Sequence, residues 1–217
     1  MRKFMVVPLA ALLVLAVAAP VSAGANVSNT SGGFTGAEGD WFRYDEATEA
    51  YTYGYVFARL DKGQQVATVD FFQGSDQKVQ CTGQDTPDDE SDDTWGVIFS
   101  YMYGSGPATS FAVTKNYGSA MASASLEVFQ ESWNDCTGEG SYESLGSIDV
   151  ALDLAGDGPL VRQTGGGSFH IPGDVNSHYS MRSSTRSGVG SVSVDGNEMT
   201  VDFGIIGTVS WKEHVNS

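Results

Sequence analysis

The stretch from Tyr51 to Ala58 reads Tyr-Thr-Tyr-Gly-Tyr-Val-Phe-Ala and decides the fold class. Aromatic residues alternate with small or polar ones, and this period of two is typical of a β-strand. The stretches from Trp95 to Tyr103 and from Ile148 to Leu154 show the same alternation. These patterns lack the spacing of three and four residues that an amphipathic helix requires. The chain is therefore predicted to be all-β.

Turn-forming residues separate the predicted strands. Asp61-Lys62-Gly63 lies between strands predicted at residues 51–60 and 64–73. Asp195-Gly196-Asn197 joins two further alternating stretches, and glycine and asparagine tolerate the positive φ of a tight hairpin turn. Many short strands with glycine-rich turns indicate an antiparallel β-sandwich, with a closed antiparallel β-barrel as the alternative. We predict about ten to twelve strands.

The first 23 residues have the pattern of a secretory signal peptide. Arg2 and Lys3 precede an uncharged apolar run, which ends in Pro-Val-Ser-Ala with a cleavage site after Ala23. A membrane-spanning helix is the alternative, but the run is near the lower limit of about 17–25 residues. We therefore expect a secreted, extracellular protein with no membrane contact after cleavage. Residues 24–39 are rich in Gly, Ser, Asn and Thr and are predicted to form a flexible tail, followed by one all-β domain at 40–217.

Cys81 and Cys136 are the two cysteines of the chain. In the oxidising compartment that the signal peptide implies, they are expected to form one disulfide. The bond would close a loop of about 55 residues and contribute about 4 kcal/mol in the chain-entropy model. Two free buried thiols are the alternative.

Two segments of the chain are similar to each other. Val69 to Ser75 reads Val-Asp-Phe-Phe-Gln-Gly-Ser, and Leu126 to Ser132 reads Leu-Glu-Val-Phe-Gln-Glu-Ser. Cys-Thr-Gly follows both segments, and the two Gln-to-Cys spacings differ by an even number, which keeps both cysteines on the same strand face. The similarity indicates two segments in related positions that the disulfide ties together. Convergent strand composition is the alternative.

The chain is strongly acidic, with 27 acidic and 11 basic residues and a formal net charge of −16. Signal cleavage would remove two of the basic residues and none of the acidic ones, leaving −18. Such a field repels phosphate backbones and anionic lipids, so we expect neither nucleic acid nor a membrane surface as a partner.

Carboxylates cluster shortly after Cys81, in a segment predicted to be a loop. Hard oxygen ligands on such a loop could bind Ca²⁺, but the residue order of an EF-hand is absent. A solvated acidic loop is the favoured interpretation, and no cofactor is expected. The candidate Ca²⁺ ligands are Asp85, Asp88, Asp89, Asp92 and Asp93.

Catalytic motifs are absent from the sequence. It contains no G-x-S-x-G nucleophile elbow, and the cysteines are assigned to a disulfide. Paired carboxylates of a glycoside hydrolase must face each other across a cleft, which Asp70 and Glu127 could do if the similarity of the two segments is a true repeat. We expect no enzyme, and a secreted hydrolase that uses cleft carboxylates remains the second alternative.

Aromatic rows give the strongest indication of a function. Tyr51, Tyr53 and Tyr55 project from one strand face at intervals of about 6–7 Å. A tyrosine combines a flat apolar ring with a polar tip, which suits a wet surface that stacks on sugar rings. The favoured alternative is that neighbouring apolar residues mark these faces as the buried core. The second row comprises Trp95, Tyr101 and Tyr103.

These observations favour a secreted, non-catalytic β-domain that binds carbohydrate or a surface polymer through an aromatic strand face. The alternative is an extracellular structural or protein-interaction domain without a small ligand. The partner would then be a polysaccharide in the first case and an extracellular protein in the second.

Overall fold

Ten β-strands make up most of the chain that the structure describes. The computed structural model describes residues 27–81, 95–171 and 175–216, so the predicted signal peptide lies outside the described residues. Among these residues, the helical element is a 3₁₀ turn at Lys115–Tyr117, and no helix is long and apolar enough to cross a membrane. The strands are β1 (Val27–Asp45), β2 (Ala50–Asp61), β3 (Thr68–Gln80), β4 (Trp95–Pro107), β5 (Ser110–Val113), β6 (Ser119–Asn134), β7 (Glu139–Ile171), β8 (Val175–Val194), β9 (Asn197–Thr200) and β10 (Phe203–Asn216).

All strand pairs are antiparallel and belong to one sheet with the order β10-β1-β2-β3-β4-β6-β7-β8-β9. Because β10 also pairs with β8, the hydrogen bonds form a closed ring through eight strands. Strands β5 and β9 pair with β6 and β8 beside this ring. The all-β class, the antiparallel pairing and the number of strands are confirmed. The pairing does not divide the strands into two separate sheets.

The hydrophobic core lies on the inner face of the ring. On β2 the inward residues are Val56 and Ala58, and on β10 the inward residue is Ile206. Most inward side chains are small or β-branched, because the space enclosed by eight strands is narrow. The largest buried side chains are Trp41 and Phe71, whose rings stack with centroids 6.4 Å apart.

The first strand occupies most of the segment that the sequence predicted as a flexible tail. Residues 27–39 belong to β1, which pairs with β10 from Val27 and with β2 from Phe34. The tail prediction rested on low hydrophobicity, which fits disorder when a segment stands alone. Here the small residues Ala37 and Gly39 face a crowded interior, and two neighbouring strands satisfy the backbone hydrogen bonds.

Two local predictions are confirmed. Asp195 and Gly196 adopt φ values of 48° and 78° and form the tight turn between β8 and β9. The segment from Ala120 to Leu126 is rich in serine and alanine but continues into Glu127-Val128-Phe129, so the sequence predicts a strand, and the segment lies in β6 with alternating burial. The alanines face the narrow interior, so their small size reflects the available space and not a helical preference.

The two similar segments flank β4 in the same register. Phe72 of β3 and Phe129 of β6 both lie directly opposite Tyr103 of β4. The related positions that the sequence similarity suggested are thus the two neighbours of one strand.

The predicted disulfide is confirmed between Cys81 and Cys136, whose Cα atoms are 5.0 Å apart. It joins the residue after β3 to the turn after β6, so it spans the beginning of β4. The bond therefore fixes the ends of the two similar strands on either side of their shared neighbour.

Candidate aromatic binding face

Eleven aromatic side chains cover the outer face of six neighbouring strands. We call this surface the aromatic belt. Alternation places one residue in two on the outer face, and the register brings these residues together across β1, β2, β3, β4, β6 and β7. Its members are Phe42, Tyr44, Tyr51, Tyr53, Tyr55, Phe72, Phe99, Tyr101, Tyr103, Phe129 and Tyr142.

The tyrosine row of β2 points outward, in contrast to the interpretation that it belongs to the core. Val56 and Ala58 of the same strand are fully buried, so their odd-numbered neighbours face the other way. Tyr51 is 45% exposed and Tyr55 is 37% exposed. The row is therefore available to a ligand, as the binding hypothesis requires.

The rings stack across the strands and not only along them. Tyr55 and Phe72 are stacked with centroids 5.8 Å apart and an interplanar angle of 22°. Phe72 and Tyr101 continue the stack at 6.0 Å and 24°. Near the other end, Phe129 and Tyr142 are almost parallel, with an angle of 10° at 5.8 Å. These contacts hold neighbouring rings in a common orientation, and together the rings form an apolar surface that follows the outside of the closed ring of strands.

A glycine lets one tyrosine lie flat on the sheet. A Cβ atom at Gly74 would lie 2.6 Å from the ring of Tyr53, so the ring occupies the space of the missing side chain. The Tyr53 hydroxyl donates a hydrogen bond to Asp76 Oδ1 at 3.2 Å. Burial and the neighbouring carboxylate of Asp76 raise the pKa of Tyr53 above its ordinary value. The ring is thus fixed at its apolar face and at its hydroxyl.

The pKa values of Tyr55 and Tyr103 are also raised, so these two phenols stay protonated at neutral pH. Burial is the main cause that raises the pKa of Tyr55, with the charges of Asp70 and Glu38 adding to it. A hydrogen bond with Tyr142 is the main cause that raises the pKa of Tyr103. The belt therefore presents neutral hydroxyl groups that both donate and accept hydrogen bonds.

Two carboxyl groups lie at the β1 margin of the belt. Asp40 is directly opposite Tyr55 of β2, and Glu38 is directly opposite Phe57. Burial, the charge of Asp40 and a hydrogen bond to it raise the pKa of Glu38 to about 7. Burial raises the pKa of Asp40 to about 6, partly offset by the hydrogen bond with Glu38. Both carboxyl groups therefore change their protonation state close to neutral pH.

This pair is expected to make stability depend on pH. Because the folded pKa values are raised, the folded state binds more protons than the unfolded state between about pH 4 and 7. Their contribution is fully present below the unfolded pKa values and is lost as the pH rises through about 6 and 7. We expect the free energy of unfolding to fall by about 1–2 kcal/mol from pH 5 to 8 on their account, after allowance for partial exposure.

Urea unfolding of Glu38→Gln at these two pH values measures this effect. In Glu38→Gln the free energy of unfolding should fall much less between pH 5 and 8 than in the wild type. In Glu139→Gln, which changes an exposed position, it should fall as much as in the wild type. An unchanged pH dependence in Glu38→Gln would show that the pair does not titrate in this range.

The sequence identified about half of the belt. All six aromatic residues of the predicted rows lie on the outer face, but Trp95 stands apart from the belt and instead lies under the Lys78 ammonium group at 4.1 Å. The other six belt members were not predicted as site residues: Phe42, Tyr44, Phe72, Phe99, Phe129 and Tyr142. A signal for Phe72 and Phe129 was available, since both occupy the same position of the two similar segments.

The carboxylates of the hydrolase alternative lie on the same outer face, on either side of β4. Asp70 and Glu127 both face outward, but β4 lies between their strands, which places the strand axes about 10 Å apart. Asp70 accepts a hydrogen bond from the Ser105 hydroxyl at 2.6 Å. The candidate Ca²⁺ ligands from Asp85 to Asp93 lie outside the described residues. Within the described part of the chain, no group of three or more His, Cys, Asp or Glu side chains is placed to hold a metal ion.

Comparison with protein-family models, curated protein sequences and solved structures finds no match to this chain.

Proposed function

We propose that this protein is a secreted, non-catalytic domain that binds a neutral polysaccharide through the aromatic belt. The observation that carries the proposal is the outward-facing set of eleven aromatic rings on six neighbouring strands, which contact one another in three groups. Soluble proteins rarely expose large contiguous apolar patches unless these patches bind a partner. The core of this protein is already filled, so binding of a partner explains why so many aromatic side chains lie on its outer face.

The chemistry of the belt suits sugars. The flat apolar faces of sugar rings pack on aromatic rings, and their hydroxyl groups exchange hydrogen bonds with phenols and carboxylates. Tyr53 and Tyr55 supply both kinds of contact, and Asp76 lies within hydrogen-bond distance of the former. Because Asp40 and Asp70 also lie near the rings, the surface favours uncharged sugars over anionic ones.

The dimensions of the belt suit a polymer. Five strand-to-strand spacings separate β1 from β7, which gives about 24 Å measured around the outside of the ring of strands. The surface lies on the outside of the strands, so a chain can extend past both ends. We therefore propose binding to an internal segment of a polysaccharide and not to its terminus.

Removal of two exposed rings should weaken binding strongly. The test measures binding of the purified protein to cellulose, β-1,3-glucan, chitin and mannan, by depletion from solution. For the polymer that binds, the variant Tyr55→Ala/Tyr103→Ala should raise Kd at least about tenfold, because each aromatic anchor at a binding surface contributes about 1–2 kcal/mol or more. Its free energy of unfolding should change by much less than a core truncation requires.

A matched control is available outside the belt. Tyr179 is 55% exposed and lies on β8, so Tyr179→Ala should bind like the wild type. Equal losses in the control and the double variant would contradict the assignment of the belt. Absence of binding to all four polymers would overturn the polysaccharide proposal and favour a protein partner for this face.

A further inference from the structure

Four strands continue past the ring and form an open sheet, which we call the extension. β1 acquires its second neighbour only at Phe34, and β7 loses β6 as a neighbour after Ala155. Beyond these points the order is β7-β8-β10-β1. The extension comprises residues 27–33, 161–171, 175–186 and 207–216. Its inner face is the continuation of the face that holds the core, as shown by Arg186 lying directly opposite the buried Ile206.

The inner face of the extension concentrates positive charge in an acidic protein. Arg182 and Arg186 lie on β8, Lys212 on β10, and Arg162 on β7 at the position opposite Ser184. These are four of the nine basic residues that follow the predicted signal peptide. Arg162, Arg182 and Lys212 are exposed. Among the described side chains of this face, none is an aspartate or glutamate.

These cations are not neutralised by the described part of the protein. The ion pairs found there are Arg43–Asp202 and Arg59–Asp61, and both lie outside the extension. The other positions on the inner face are mainly serine, threonine, asparagine and histidine. His214 donates a hydrogen bond from Nδ1 to Asn29 Oδ1 at 2.6 Å, since that oxygen only accepts. The surface thus combines uncompensated cations with many hydroxyl groups.

We propose that the inner face of the extension binds a linear polysaccharide that carries carboxylate or sulfate groups. Arginine presents a planar fork of donors that matches these oxyanions. The cations and histidines extend from His178 to Arg186, a distance of about 27 Å along the strand, and the four strands span about 14 Å. This area fits a chain with charges at intervals and is too large for a single small anion.

The remaining features of the protein disfavour nucleic acid as the occupant. Double-stranded DNA carries one charge per about 1.7 Å, and the acidic remainder of the molecule repels so dense a charge. Binding of single strands relies on large aromatic rings for base stacking, and no Phe, Tyr or Trp side chain is described on this face. A polymer with about one charge per sugar meets the cations with less repulsion. This surface is separate from the aromatic belt, and the inference does not rest on the proposed function.

The test compares polygalacturonate, dextran sulfate and neutral dextran as ligands in isothermal titration calorimetry. Polygalacturonate or dextran sulfate should bind in about 50 mM NaCl and more weakly in about 300 mM, since added salt screens exposed charges. The variant Arg182→Ser/Lys212→Ser should bind at least about tenfold more weakly, because charge-assisted hydrogen bonds are lost. The control Lys62→Ser/Lys115→Ser removes the same charge at exposed positions elsewhere and should bind within about threefold of the wild type.

Four outcomes would overturn this proposal. They are equal losses in the two double variants, equal binding to neutral dextran, tighter binding of a DNA 20-mer than of either polyanion, and salt-sensitive self-association that the extension variant abolishes. The last outcome would identify a second, acidic copy of the chain as the occupant. The belt variant Tyr55→Ala/Tyr103→Ala should keep polyanion binding, so failure of one proposal is distinguishable from failure of the other.

Discussion

Replacement of Trp41 by alanine is expected to lower the free energy of unfolding by about 3–5 kcal/mol. The indole is 2% exposed, stacks on Phe71 and lies against the backbone of Gly54. Truncation would leave a cavity in the core that the ring of strands encloses, and the rigid hydrogen-bonded strands cannot collapse to fill this cavity. Urea denaturation followed by circular dichroism measures the change as a lower midpoint at an unchanged slope.

Trp95→Ala is the matched control, because Trp95 is 56% exposed. Trp95→Ala should lower the free energy of unfolding by less than about 1 kcal/mol, which is the typical contribution of an exposed cation–π contact. Trp41→Phe should fall between the two, since it keeps most of the buried area and removes an indole Nε1 that has no hydrogen-bond partner. A loss below about 1 kcal/mol in Trp41→Ala would show that the interior is not packed as described.

Removal of the disulfide is expected to cost about 4 kcal/mol. Cys81 and Cys136 are 55 residues apart, and in the chain-entropy model a cross-link of this length restricts the unfolded chain by about that amount. In the folded state the bond fixes the ends of β3 and β6 on either side of β4. The variant Cys81→Ser/Cys136→Ser should therefore keep its far-UV spectrum at 25 °C but unfold at a lower urea concentration.

Reduction of the wild-type protein provides an independent comparison, since it breaks the bond without changing the sequence. Reduced wild type and the double serine variant should have similar midpoints. If neither midpoint falls, the two strand ends are held by the sheet alone and the bond adds no stability.

The two proposed binding surfaces use opposite faces of the strands. The belt uses the outer face of β1 to β7, where rings stack and carboxylates lie nearby, whereas the extension uses the inner face of strands that have left the ring. The same alternation along a strand thus produces a core, a neutral aromatic surface and a basic surface at different points. The neighbouring strands at each point decide whether a face is enclosed in the core or exposed as a binding surface.

Local patterns predicted the parts of this protein that depend on neighbouring residues in the sequence. The alternation from Tyr51 to Ala58 indicated a strand, and the Asp195–Asn197 turn indicated a hairpin, because period and turn geometry depend only on the local backbone. The pairing of Cys81 with Cys136 followed from their number. The similarity of two segments anticipated their related places beside β4.

The direction of each strand face was decided only by the tertiary structure. A period of two separates the tyrosines of β2 from Val56 and Ala58 but does not state which set is inside. Closure of the ring determines this, because the interior of eight strands holds small residues and one large cluster around Trp41, and the tyrosines must lie outside. The order of residues thus determined the strands, turns and disulfide, whereas pairing between distant strands placed residues 27–39 in β1, assembled the belt and collected the cations of the extension on one face.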